Sequence, residues 1–413
     1  MSWKPILDGD LAAAARESAL AIAAALESTS PDGPSYAYGH AGLALFYGYL
    51  AAEYDDDRFA DFAEVRLDAA VETLFDRSPP AGFFAGPTGV AWTNQHLQQL
   101  LSGEAAPDAN EEIDEWIAGT VRSTPWQGDY DLLFGLAGLG CYALDHPDRE
   151  FAARVIGSIV DRLEELAVQR EAGLSWWTPS SKLFPADLKK FPGGYFNLGL
   201  AHGAPGVVGM LARACGENLA GSRARRLLDG AVEWLLTNKR EDDGGSTFAP
   251  FVGAETSTPA ASCRSAWCYG DPGVAAALLG AARAVGAPDW EREAVAIALK
   301  DCTRPMHDRG VVDATLCHGA AGLGHLYNRF YQATGEETFG RVARDWFEHA
   351  LSMRRPGLGI AGFSSWWDEA GEWRNVSGFL EGAAGISLAL IAATSHIEPG
   401  WDRPMLLAIP PKI

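Results

Sequence analysis

One tetrad repeated seven times constrains this chain more than any other feature. Gly-x-x-Gly stands at residues 39–42, 86–89, 135–138, 203–206, 270–273, 319–322 and 382–385, and each copy is followed at once by Leu, Val or Ile. The first glycines are 47, 49, 68, 67, 49 and 63 residues apart. Self-similarity at such a period marks a repeat architecture in which each copy is one supersecondary unit. Glycines at i and i+3 share a helix face, and without side chains there the neighbouring backbone can approach closely. Proline inside three copies (Pro87, Pro205, Pro272) suits a first helical turn. The tetrad therefore predicts a helix start in every repeat.

Between tetrads lie amphipathic stretches with apolar residues at three- and four-residue steps: 58–77, 151–170, 222–239, 289–302 and 337–353. The segments that follow the tetrads, such as 40–53 and 273–285, are more apolar and rich in alanine. A helix that is apolar nearly all round must be buried, whereas the intervening ones carry one charged face. These patterns predict an all-α fold, an α/α toroid of seven helix-pair repeats with inner and outer helical rings and about fourteen helices. Residues 1–413 then form one domain, with Trp-, Pro- and Gly-rich loop insertions near 173–197, 241–267 and 355–376. Loops of that length are often functional, and their aromatic residues suit either gripping a peptide or capping the toroid.

Charge and composition narrow the partners. The 33 basic against 54 acidic side chains leave a formal charge of −21. That balance argues against binding to nucleic acid or to an anionic bilayer, both of which need clustered Lys and Arg. No stretch is long and apolar enough for direct membrane insertion. Six cysteines in 413 residues are too few for a disulfide scaffold, so a reducing, cytoplasmic compartment is expected.

Alignment on the first glycine brings distant residues into register. Cys268 and Cys317 both stand two residues before a tetrad, and His318 and His202 both stand one residue before one. The other occupants of that last slot are Tyr38, Ala85, Phe134, Tyr269 and Glu381, so the fold itself does not require histidine there. If all helix starts share one rim, Cys268, Cys317 and His318 supply three zinc ligands and leave one tetrahedral position open, the stoichiometry of a catalytic site. A structural zinc would want a fourth protein ligand and short Cys-x-x-Cys spacing, whereas these thiols are 49 residues apart. Cys141, Cys215, Cys263 and Cys302 read as structural, as do the remaining histidines.

The segments Asn197-Leu-Gly-Leu-Ala-His-Gly-Ala-Pro-Gly206, Trp267-Cys-Tyr-Gly-Asp-Pro-Gly273 and Cys317-His-Gly319 resemble those of lanthionine synthetase C-like proteins, and the repeats extend the resemblance over nearly the whole chain. That resemblance implies a zinc-dependent peptide cyclase, forming lanthionine or methyllanthionine thioether rings by Michael-type addition of peptide cysteine thiolates to dehydroalanine or dehydrobutyrine. It also implies His202 as the acid/base, Asp131 as the carboxylate that orients it, and Arg264 and Tyr269 as groups that stabilise enolate charge. The partners it implies are a dehydrated precursor peptide, a separate dehydratase and an export transporter complex, which would bring the cytoplasmic enzyme to the membrane periphery. Two other activities share the same residues: addition of glutathione or another small thiol to dehydroamino acids, and a non-catalytic, zinc-stabilised peptide-binding scaffold.

Overall fold

The structure, a computed structural model, describes residues 3–74, 81–103, 110–183, 185–253, 262–368 and 370–410. Each tetrad opens a helix: α2 (His40–Tyr54), α4 (Pro87–Ser102), α6 (Leu136–Asp145), α9 (Ala204–Gly216), α11 (Asp271–Val285), α13 (Ala320–Thr334) and α15 (Ala383–Thr394). The first glycine of every tetrad is the N-cap residue of its helix. In α15 all residues from Ala383 to Thr394 are buried, as their continuous apolar character demands.

The amphipathic stretches are the second helices of the pairs: α1 (Gly9–Leu26), α3 (Asp57–Glu72), α5 (Glu111–Thr120), α7 (Arg149–Leu166), α10 (Ser222–Thr237), α12 (Pro288–Thr303) and α14 (Glu337–Ser352). In α14 the buried set Phe339, Val342, Ala343, Trp346, Phe347 and Ala350 forms one stripe at steps of three and one. Truncating a side chain as large as Trp346 to alanine in such a stripe costs about 3–5 kcal/mol. Acidic N-caps start several of these helices; the Asp148 carboxylate accepts the Glu150 and Phe151 N–H groups that α7 leaves free. Among the described residues fourteen helices thus alternate between the two kinds as the repeats predict, and one short extra helix, α8 (Pro185–Lys190), lies in the first insertion.

The pairing has an order that the repeats alone do not reveal. Among the described residues α2, α6, α9, α11 and α13 each pack on the amphipathic helix that follows, but α15 packs on α1 from the other end of the sequence. The Trp3 indole N–H donates to the Ala392 carbonyl at 2.8 Å, and the Ile6 and Leu7 N–H groups to that of Ala393.

The expected insertions carry small antiparallel sheets rather than open loops. Strands β1 (Ala167–Gln169), β2 (Leu174–Pro179), β3 (Gly194–Asn197) and β4 (Phe251–Gly253) form one sheet in sequence order, with Tyr195 opposite Gly253 and Phe196 opposite Val252. Strands β5 (Ser365–Trp367) and β6 (Glu372–Arg374) form a hairpin in the third insertion. The parts of the three insertions at 184, 254–261 and 369 lie outside the described residues, as do residues 75–77 of the first amphipathic stretch.

The chain divides into two compact units, Met1–Asp114 with Val311–Asp402 and Pro411–Ile413, and Glu115–Gly310 with Arg403–Pro410. In both, the segments just before the tetrads are joined by backbone hydrogen bonds at one repeated position, two residues before the first glycine. In the first unit Cys317 N–H donates to Leu380, Leu380 to Ala37, and Ala37 to Phe84, each at 2.9 Å. In the second, Leu133 donates to Ala201 and Ala201 to Cys268, each at 3.3 Å.

These ladders explain the second tetrad glycine. A Cβ on Gly42, Gly89 or Gly322 would lie 1.9–2.3 Å from the carbonyl oxygen six residues earlier, that of Tyr36, Phe83 or Leu316. At Gly89 it would also meet Tyr36 Cβ at 2.7 Å, and at Gly206 Leu132 Cβ at 3.2 Å, both from the preceding repeat. The close approach is therefore made chiefly by the loop that folds back over the helix's first turn. Gly270 has a further constraint, φ of +101° with the Arg264 carbonyl oxygen 1.9 Å from its absent Cβ.

Candidate functional site

Asp131 and His202 reach their places from the segments before the third and fourth tetrads. One Asp131 carboxylate oxygen accepts the Phe134 N–H at 2.7 Å, which fixes the carboxylate, and the other meets His202 Nδ1 at 2.8 Å. Asp131 is buried. With Nδ1–H committed to Asp131, the imidazole keeps Nε2 for other chemistry. Burial alone would depress the imidazole pKa, but the Asp131 hydrogen bond and charge outweigh it and hold His202 above 6.5.

Tyr269, in the equivalent slot one repeat on, lies with its ring centroid 6.2 Å from that of His202. Its phenol oxygen accepts from Asn197 Nδ2 at 3.0 Å, and burial pushes its pKa well above 10, so it stays a neutral hydroxyl. Asn197, Tyr269, His202, Phe134, Tyr195 and Thr178 all line a cavity of about 200 Å³. Arg264 is half-buried, and its backbone carbonyl is what packs against Gly270.

Cys317 and His318 are held by the other unit. Asp313, buried, accepts the Thr315 N–H and hydroxyl through one oxygen at 3.0 and 2.8 Å, bending the chain just before Cys317, and takes the Trp366 N–H at 2.9 Å through the other. His318 Nδ1 faces Glu381 at 3.8 Å, and the second Glu381 oxygen accepts the Tyr38 hydroxyl at 2.8 Å. Glu381 and Tyr38 occupy the same slot as His318 in the following repeats. Their polarity is the signal that a carboxylate stands behind the histidine, one that register alone leaves without a role.

Among the described residues Cys268, Cys317 and His318 are a group able to hold a metal ion, their sulfurs and a ring nitrogen all within 4.8 Å of one another. Tetrahedral zinc with Zn–S bonds near 2.3 Å sets its sulfurs about 3.8 Å apart, so this donor set and spacing fit zinc. The two cysteines are buried, 7% and 5% exposed. By contrast, burial pushes the Cys141 and Cys263 thiols up to about 12, which keeps them protonated and inert. His325 is buried against Asp402, its Nε2 at 2.7 Å from the carboxylate that also binds Arg329.

The sequence profile of the family described as "Lanthionine synthetase C-like protein" matches residues 30–406. The chain belongs to that family. It is 24% identical over 380 residues to the nisin biosynthesis protein NisC of Lactococcus lactis subsp. lactis, covering 87% of this chain and 86% of that one. Among solved structures it is similar to nisin cyclase, with a TM-score of 0.75 and 21% identity over 95% of this chain and 97% of the other. This lanthionine synthetase C-like chain therefore has the all-α toroid fold class that its repeats predict.

Proposed function

We propose that this lanthionine synthetase C-like protein is a zinc-dependent cyclase that closes thioether rings in a dehydrated precursor peptide, with residues 1–413 acting as a single cyclase domain. The observation that carries the reading is the Cys268, Cys317 and His318 group in a chain of this family. The name of the similar nisin cyclase supports the same chemistry.

Cys268, Cys317 and His318 would hold the zinc. When bound, the ion supplies the charge that keeps an incoming thiol deprotonated at neutral pH. The peptide cysteine loses its proton, its sulfur bonds to the β-carbon of dehydroalanine or dehydrobutyrine, and the electron pair of the C=C bond moves toward the carbonyl oxygen as an enolate. His202, whose hold on its proton the Asp131 hydrogen bond strengthens, delivers a proton from Nε2 to the α-carbon and restores the carbonyl. Tyr269 and Arg264 stabilise the developing negative charge. A separate dehydratase would supply the unsaturated residues, and an export complex would take the product. A cytoplasmic location accords with only six cysteines in 413 residues, and no described helix is long and apolar enough to cross a membrane.

The test has two measurements. Zinc per chain should be about one in the wild type and lost in folded Cys268→Ala and Cys317→Ala variants. A dehydrated, cysteine-containing peptide should lose alkylatable thiols without changing mass. Absence of zinc after remetallation, or persistent free thiols with the cognate precursor, refutes the proposal; a mass gain equal to an added thiol assigns the chemistry to intermolecular addition instead.

A further inference from the structure

We infer that the cavity beside His202 is the subsite for the electrophile, an α,β-unsaturated amide, and that Asn197 is the positioning residue that turns the Tyr269 hydroxyl proton toward its carbonyl oxygen. The inference rests on the addition chemistry proposed above and adds to it the site of one reactant.

The orientation follows from donors and acceptors. A backbone N–H can only donate, and that of Gly199 donates to Asn197 Oδ1 at 2.8 Å. The Asn197 amide is thereby fixed with Nδ2 facing Tyr269, at 3.0 Å from the phenol oxygen. Asn197 is 2% exposed, at the end of β3, and has little room to turn. The phenol oxygen is an acceptor toward Asn197, so its single proton must be donated elsewhere. An ordinary phenol keeps its proton at neutral pH, so that proton remains available.

The lining of the cavity indicates the chemical class. Lys182 is balanced by Asp129 at 3.0 Å and by the Gly128 and Gln127 carbonyls, and His202 by Asp131. What remains is the Phe134 ring, four hydroxyls (Tyr130 and Thr178, bonded to each other at 3.0 Å, with Tyr195 and Tyr269) and the Asn197 amide. Such a lining suits an uncharged planar amide better than a carboxylate or phosphate. At about 200 Å³ it is smaller than drug-sized sites of roughly 300–1,000 Å³, so it takes a residue or two of a peptide.

A dehydroamino acid laid between Tyr269 and His202 presents its carbonyl oxygen to the phenol and its α-carbon to Nε2. As sulfur bonds to the β-carbon, the oxygen gains charge and the Tyr269 hydrogen bond to it strengthens without proton transfer. The His202 proton then goes to the α-carbon, and the imidazole regains one from the solvent that took the thiol proton, so protons balance. This is the arrangement of an oxyanion donor, whose removal costs about 100- to 1,000-fold in rate.

The decisive variant is Asn197→Asp. It still accepts the Gly199 N–H, but it offers Tyr269 an acceptor and draws the phenol proton away from the cavity. The expected result is a loss in kcat of at least about 30-fold with KM within about threefold, matching Tyr269→Phe, and a double variant no worse than Tyr269→Phe alone. Asn197→Ser, which keeps a polar group for Gly199, should show the same loss. A second readout needs no turnover: the infrared carbonyl band of ¹³C=O-labelled N-acetyl-dehydroalanine N-methylamide should shift to lower frequency on the wild-type zinc protein and return in Asn197→Asp and Tyr269→Phe at unchanged zinc content. Wild-type activity in Asn197→Asp, losses that multiply in the double variant, or a carbonyl band that the wild type does not shift would overturn the inference. A shifted band in a wild type that closes no rings would leave the subsite standing and refute the cyclase reading.

Discussion

Replacing Gly322 by alanine tests whether the tetrads position the proposed zinc ligands. A Cβ at 322 would lie 1.9 Å from the Leu316 carbonyl oxygen and 2.7 Å from its carbon, both backbone atoms that no rotamer change can move. Relief to 3.0 Å requires a displacement of about 1.1 Å in the peptide that leads directly into Cys317. Metal-ligand distances tolerate only about 0.2 Å, so Cys317 and His318 would leave their working geometry. Overpacking of this kind costs about 1–3 kcal/mol, and the Cys317 N–H bond to Leu380, stretched by the same movement, adds about 1 kcal/mol. We therefore expect Gly322→Ala to lose about 2–4 kcal/mol in denaturant titrations and to bind zinc at least about 100-fold more weakly in competition with a chromogenic chelator. Gly157→Ala in α7 is the control: its Cβ meets nothing within 4 Å, so it should gain about 0.5–1 kcal/mol and keep its zinc affinity. A Gly322→Ala protein with wild-type stability and zinc affinity would refute the argument that these glycines set the ligand geometry.

Two further predictions concern buried charge. Asp131→Asn removes the charge that raises the His202 pKa, so the alkaline limb of the pH–rate profile should move to lower pH and kcat at pH 7.5 should fall about 10- to 100-fold. Because the folded-state pKa of His202 is raised, its pairing stabilises the wild type fully below about pH 6.5; the stability advantage over Asp131→Asn should vanish as pH rises through the raised value. Asp301 is fully buried, accepts the Ser265 hydroxyl at 2.7 Å and faces Arg304 at 3.0 Å and Arg309 at 3.6 Å. Asp301→Ala takes this buried carboxylate away from both guanidiniums and should cost about 3–5 kcal/mol in denaturant titrations.

The helix starts are legible in the sequence because the first tetrad glycine is the N-cap and the second is where the preceding loop's backbone comes closest, two requirements three residues apart. Register alone then sets Cys268 and Cys317 at one structural position and His202 and His318 at another. Glu381 stands in that second slot too, but its meaning depends on the last repeat adjoining the first, through Leu380 and Ala37. Asn197 lies within a family-like motif that gives it no role by itself, since its work depends on Gly199 and on Tyr269, 72 residues away. The insertion strands are hidden for a related reason. Strands of three to six residues rich in Trp, Gly and Pro show no alternation, and β3 finds β4 only across a long separation in sequence.

The pairing of α1 with α15 bears on how the protein is made. Trp3 and its acceptor Ala392 are 389 residues apart, so α1, synthesised long before α15, waits for it before its apolar face is covered. Until then Ala15, Ala19, Ile22 and Ala23 have no α15 surface to pack against, and the nascent chain carries an unsatisfied seam. Cys317 reaches its ladder partner Leu380 only in the same late window. Any metal held through Cys317 would therefore be taken up only after that segment has been made, and a chain truncated before residue 383 should be a client for chaperones.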